Sequence, residues 1–121
     1  MAEVALVTGA GRGIGRAIAD ALAAADFRVA RVSLEERAEG LAEGDAYYCA
    51  DVSRTEDHAA LLEWIACDLG EPSCLVNNAG VTSLVRGDML DLTPESYDRT
   101  LAINLRAGFF LSSTLAILGG R

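Results

Sequence analysis

Val4-Ala5-Leu6-Val7-Thr8-Gly9-Ala10-Gly11-Arg12-Gly13-Ile14-Gly15 is the stretch on which the fold turns. Val4–Thr8 is an apolar run suited to a strand buried on both faces, and it leads directly into glycines with a helical pattern behind them. Glycine lets the chain turn tightly and keeps Cβ atoms away from an approaching diphosphate. A helix starting there offers unpaired N–H groups and a partial positive charge to the same anion. The spacing says what kind of seat this is. G-x-G-x-x-G fails, because Ile14 stands where a glycine is needed. The phosphate loop ending in Gly-Lys fails too, because the chain has no lysine. What fits is Thr-Gly-x-x-x-Gly-x-Gly, at Thr8, Gly9, Gly13 and Gly15.

Beyond this turn the pattern alternates. Arg28–Ser33, Ala46–Asp51 and Cys74–Asn78 read as further strands. Gly13–Ala25 reads as a helix with Ile14, Ile18, Ala21, Leu22 and Ala25 along one stripe. Glu36–Leu41 reads as a short helix. Ser53-Arg54-Thr55-Glu56 has the form of a capping box. The helix it opens turns Leu61, Leu62, Ile65 and Leu69 to one side and stops at Gly70, with Pro72 beyond as a breaker. Thr93 caps a last helix with Pro94 in its first turn, and Gly119-Gly120 ends it. Strands alternating with helices imply parallel pairing through right-handed crossovers.

With 121 residues the chain is one domain at most, and its 51% hydrophobic content is enough for a core. A net charge of −8 argues against nucleic acid and anionic membranes as partners, while leaving a local helix terminus free to take a phosphate. Cys49, Cys67 and Cys74 lack metal-ligand spacing; two lie in expected strands, and they read as small core residues in a reducing cytosol. No metal site is expected. His58, the single histidine, reads as a solvated residue on a first helical turn. The N-terminus enters a strand without a basic leader, so a cytoplasmic protein is expected. The apolar run Leu101–Leu118 contains Asn104 and Arg106 and reads as a buried helix rather than a membrane span.

A second motif, Cys74-Leu75-Val76-Asn77-Asn78-Ala79-Gly80, ends a strand in two amides, a small residue and a glycine. Together with Thr8–Gly15, Asp51-Val52, and Asn104 within Leu101-Ala102-Ile103-Asn104-Leu105, it gives the chain a resemblance to the short-chain dehydrogenase/reductase family. Four motifs in order make that resemblance specific, and it covers about the first half of a family member. It implies an α/β Rossmann-type doubly wound sheet in the order 3-2-1-4, within a single NAD(P)-binding domain over residues 1–121. Family members carry a catalytic serine and Tyr-x-x-x-Lys in their second half. Four residues after Tyr47, Tyr48 and Tyr97 stand Asp51, Val52 and Leu101, so the chain is expected to be inactive alone. Its fourth strand would also be left as an apolar edge.

The resemblance also implies roles. Gly9, Gly13 and Gly15 bring the backbone beneath the cofactor's pyrophosphate; Ile14 donates a main-chain N–H and packs below. Asp51 meets the adenine amino group and Val52 supplies a backbone contact, while Asn78, Ala79 and Gly80 line the adenosine ribose. Asn104, a mid-helix amide taken as buried, holds a water in the proton relay and is the single catalytic residue expected on this chain.

Cofactor choice depends on the end of the second strand, where NAD enzymes usually place an acid. Ser33 stands there; with Arg12 nearby, and Arg37 as a second cation, the reading favours NADP, with NAD the alternative. Glu35 becomes the reader only with a two-residue slip. Val81–Phe110 most resembles 3-oxoacyl-carrier-protein reductases, and polyol and steroid dehydrogenases have similar first halves. The expected partners are a small carbonyl or alcohol and further copies of the protein, as dimer or tetramer. A catalytically dead dinucleotide-binding fragment and a structural subunit are the rival readings.

Overall fold

Parallel strands need long crossovers, and this chain supplies helices for them. The computed structural model describes residues 3–35, 45–80 and 89–119. Its strands are β1 (Val4–Thr8), β2 (Arg28–Ser33), β3 (Ala46–Cys49) and β4 (Pro72–Val76). All pair in parallel, in the order β3-β2-β1-β4. The helices are α1 (Gly13–Ala24), α2 (His58–Asp68), α3 (Pro94–Leu101) and α4 (Ala107–Gly119). Thr55–Asp57 and Met89–Asp91 form single 3₁₀ turns, and a π-helical segment, Ala102–Arg106, joins α3 to α4. The expected helix at Glu36–Leu41, and Arg37, lie outside the described residues.

Side chains alternate across the sheet as a period of two requires. On one face Leu6, Val32 and Tyr48 meet Leu61, Leu62 and Ile65 of α2, and Ala107 and Leu111 of α4. On the other, Val7 and Val29 meet Ala19 of α1, with Ile18 and Leu22 packed alongside. All of β1 is buried, as a central strand between two helical layers should be.

Several local expectations give way. The inward stripe of α1 is Gly15 and Ala19 flanked by Ile18, Leu22 and Ala23; Ile14 is 74% exposed and Ala21 and Ala25 face solvent. Only small residues let that helix lie close on the sheet. Ser53 does not cap: its hydroxyl and N–H both bond Asp51 Oδ1, at 2.6 and 3.0 Å, and the chain enters α2 through the 3₁₀ turn. β3 stops at Cys49 because Asp51 belongs to this turn. Pro72 begins β4, where the first strand position demands no N–H. Cys49 and Cys67 are exposed and Cys74 is half-buried, so none is a core residue. Thr93 does cap α3, accepting from Ser96 N at 3.2 Å. The Tyr48 phenol donates to Asp68 at 2.8 Å, and burial followed by that bond raises its pKa far above the usual range.

The last helical run, Pro94–Gly119, has 26 residues and a mean hydropathy of 1.6 in its most apolar window, long and apolar enough to cross a membrane by composition alone. Only 11% of that window is buried, so it is not the buried helix expected; its inner edge, Ala107 and Leu111, is docked on the sheet.

A buried ion pair locks the far side. Arg31, 2% exposed in mid-β2, bonds Asp45 Oδ2 through Nε at 3.1 Å and Nη2 at 2.9 Å, and reaches Asp20 of α1 at 2.8 Å. Asp45 also accepts from Val29 N at 3.2 Å. Removing one partner of such a pair strands the other charge. Arg31→Met is therefore expected to lower unfolding free energy by about 3–5 kcal/mol, read from urea denaturation at neutral pH.

Candidate functional site

The carboxyl ends of the strands open into a cleft of ≈ 360 Å³. Its walls are the glycine turn after β1, the end of β2 through Glu35, the turn Ala50–Val52, and Asn78–Gly80 after β4. This is the crevice an open α/β sheet makes where strand order reverses, here between β1 and β4.

Thr8 fixes that crevice. Its hydroxyl, on a residue 2% exposed, accepts from the N–H groups of Asn78 and Ala79, both at 3.0 Å, and donates to the Val76 carbonyl at 3.4 Å. Asn78 returns the link, its side-chain amide donating to Gly9 O at 3.2 Å. Gly9 (φ +63°) and Gly13 (φ +59°) hold left-handed conformations that glycine adopts without penalty. Gly15 is demanded by proximity: a Cβ there would lie 2.0 Å from Gly9 O and 2.4 Å from the Asn78 amide nitrogen. A Cβ on Gly13 would meet nothing within 4 Å, so the space above α1's N-terminus is open. An open cradle over free helix N–H groups suits a diphosphate. Ile14 lies beside it with its side chain in solvent rather than packed below.

Ser33 does not stand alone. Its hydroxyl accepts from Glu35 N at 3.3 Å, and the Glu35 carboxylate lies 3.4 Å from Arg12 Nε. A Cβ on Gly11 would touch Ser33 Oγ at 2.6 Å and the Glu35 carboxylate at 3.1 Å, so all three share one corner of the cleft. The Tyr47 hydroxyl bonds the Glu35 carbonyl from β3. In sequence Glu35 sits two residues past the strand position usually filled by an acid and becomes the reader only with a two-residue slip. The chain's turn at Leu34 brings it back.

Asp51 and Val52 line the opposite wall, with the Asp51 carboxylate engaged by Ser53. Asn104 lies in the π-helical segment; it is exposed, not buried, and its Oδ1 would be 3.2 Å from a Cβ on Gly80. Asn77 Nδ2 donates to Ser112 Oγ of α4 at 3.0 Å, tying the end of β4 to that helix. His58, expected in solvent, is 2% exposed, and its Nε2 lies 2.7 Å from the Val52 carbonyl oxygen. A helix-opening histidine behind two acids gives no apolar signal, so sequence reading had no means to find it inside. Among the described residues no cluster of His, Cys, Asp and Glu is placed to hold a metal ion.

The family model for short chain dehydrogenases matches residues 3–118. Among curated relatives, sepiapterin reductase of Chlorobaculum tepidum is 39% identical over 135 residues, covering 98% of this chain and 54% of its own. D-threitol dehydrogenase of Mycolicibacterium smegmatis is 41% identical over 117 residues, covering 90% and 44%. A solved 3-oxoacyl-[acyl-carrier protein] reductase from Brucella melitensis in complex with NAD superposes with a TM-score of 0.89 at 37% identity, over 96% of this chain and 48% of that one. The chain thus spans about half the length of the relatives it matches. With the glycine turn, the strand order and the Asn-Asn-Ala-Gly strand end in place, the chain belongs to the short-chain dehydrogenase family of oxidoreductases.

Proposed function

We propose that this chain is the dinucleotide-binding half of an oxidoreductase that moves hydride between a nicotinamide cofactor and a carbonyl or secondary alcohol. The observation that carries the reading is the open cradle over Gly13 at the N-terminus of α1, walled by Thr8-clamped residues Asn78 and Ala79. Gly9, Gly13, Gly15 and the Ile14 main chain would take the diphosphate, Asp51 and Val52 the adenine, and Asn78, Ala79 and Gly80 the adenosine ribose. When bound, the cofactor supplies the hydride chemistry, and the protein supplies seat and orientation. Asn104, beside Gly80 in the π-helical segment, would orient a water in the proton path. The chain has no lysine to accompany a tyrosine proton donor, so binding without turnover is its expected behaviour alone. A 3-oxoacyl thioester is the substrate class we favour for the parent enzyme, on the Gly87–Glu95 pattern and the Brucella melitensis reductase. The polyol reading keeps its support in the D-threitol dehydrogenase likeness. Self-association would use the outer side of α4 and the π segment, where Leu105, Phe109 and Ile117 are 65%, 66% and 61% exposed.

On the cofactor, Glu35 shifts the choice to NAD. Its carboxylate stands in the Ser33 corner, where it would accept ribose hydroxyls and repel a 2′-phosphate. The NADP reading draws on Arg12, whose guanidinium is 90% exposed and would turn to a phosphate.

Two measurements test these assignments. Asp tolerates a left-handed backbone, so Gly13→Asp should fold while placing a carboxylate in the cradle. Its affinity for NAD, by calorimetry, should fall by at least about 3 kcal/mol. Gly15→Ala should instead lose about 1–3 kcal/mol of stability in a thermal melt, because its Cβ strikes Gly9 O. Unchanged NAD affinity in Gly13→Asp would remove the diphosphate from this turn.

For the preference, NAD should bind about tenfold more tightly than NADP, and Glu35→Ser should narrow that gap. NADP binding more tightly than NAD would return the corner to Arg12.

A further inference from the structure

His58 is badly suited to the place it fills. It opens α2 and is 2% exposed. Its Nε2 faces the Val52 carbonyl at 2.7 Å. A carbonyl only accepts, so Nε2 carries the proton and Nδ1 remains a bare acceptor. Nδ1 is buried and, among the described residues, meets no donor. A buried acceptor without a partner destabilises a fold, and an aliphatic side chain would fill this volume without that cost. Histidine does one thing there that leucine cannot: it holds a carbonyl.

That carbonyl belongs to the wall of the cleft. The β3 ladder ends at Cys49, and Ala50 N reaches Ser33 O at 2.9 Å as the last main-chain link to β2. After it, the hydrogen bonds of Asp51 are local among the described residues. Asp51 Oδ1 takes Ser53 N and Oγ, and Asp51 O takes Arg54 N at 3.1 Å. The Val52 side chain lies in the core cluster with Leu61 and Leu62, and the His58 bond adds a directional hold on its carbonyl from the start of α2. We propose that His58 is a positioning residue for the cofactor: through the Val52 carbonyl it holds the Asp51–Val52 wall in the shape that receives the adenine end. This rests on the dinucleotide reading above, and it assigns a specific task to a residue outside the cleft.

The test is calorimetric titration of the chain and its variants with NAD and, separately, with inorganic pyrophosphate, which engages the glycine turn alone. His58→Leu should raise the Kd for NAD about tenfold, the worth of one well-placed hydrogen bond, and leave that for pyrophosphate unchanged. Its melting temperature should equal or exceed the parent's, since the orphan nitrogen is gone. His58→Gln, whose amide replaces the Nε2–H donor, should restore NAD affinity to within about threefold of the parent. If His58→Leu does not fold, His58→Asn takes its place, its shorter amide falling short of the carbonyl. Parent-like NAD affinity in the leucine or asparagine variant overturns the proposal. So does a glutamine variant as weak as leucine, or a loss shared equally by both ligands along with the melting temperature. A parent chain that binds no NAD overturns the dinucleotide reading, and this one with it; a binding parent with an indifferent His58 overturns this one alone.

Discussion

The Thr8 hydroxyl is the constraint on which the site depends. At the carboxyl end of β1 the ladder to β4 stops at Val7 and Val76. A ladder's end leaves main-chain N–H groups without a strand partner, and buried ones must be satisfied. Thr8 Oγ1 takes two of them, Asn78 N and Ala79 N, and gives its own proton to Val76 O. Valine has the same shape but would leave both N–H groups unpaired in a place that is 2% exposed. Because β4's end is held by this hydroxyl, Asn78 can reach Gly9, and the turn in turn admits Gly15 against Gly9 O with no room for a Cβ. The cleft is thus built from its floor upward.

The same logic extends to the far wall. Gly80 lies against Asn104 and Gly108 against Asn77, so the segment after β4 and the last helix approach closely at two glycines. Between them the helix widens into its π-helical segment, Ala102–Arg106. π-bulges are rare and concentrate at functional sites, since they re-aim side chains that a regular helix would present elsewhere. Arg106 at the end of this segment reaches Thr55 Oγ1 at 3.4 Å, joining the last helix to the turn that leads into α2.

The sheet was legible in the sequence because its signals are redundant. β1 is apolar at every buried position before its threonine, β2 matches its expected bounds, and Leu61, Leu62 and Ile65 of α2, with Leu69 at its C-cap, stand at helical spacing, all of them buried. Strand order came from resemblance rather than from periodicity, and the pairing agrees with it. What hydrophobic periodicity does not carry is the choice of polar partners. His58 is placed by the Val52 carbonyl six residues before it, and Ser53 by the Asp51 carboxylate two residues before it, and neither bond leaves an apolar pattern. Ile14 is apolar and fits a helical stripe, but small residues, Gly15 and Ala19, win the contact because the helix lies too close for a larger one. Arg31 gave no sign of burial, since its carboxylate partners Asp20 and Asp45 come from other elements.

The Ser33 corner shows how an assignment changes when distance replaces position. Arg12 and Glu35 are 3.4 Å apart, with side chains 90% and 42% exposed. An ion pair that exposed is worth about 0–1 kcal/mol and rearranges readily, so the pair itself fixes nothing. What is fixed is the backbone of Glu35. Its N–H is held by Ser33 Oγ and its carbonyl by the Tyr47 hydroxyl, from two strands of the sheet. Arg12 is held at its backbone too, its carbonyl accepting from Arg16 N at 3.2 Å as α1 begins, but its longer side chain is 90% exposed and, among the described residues, is paired with Glu35 alone. On the dinucleotide reading proposed above, the acid on the held backbone would stay beside the adenosine ribose, and the exposed cation would move with whatever the ligand brings. Selectivity would then follow the acid. The loose cation would have to give up its carboxylate before serving a phosphate, and that phosphate would still sit beside the acid it left.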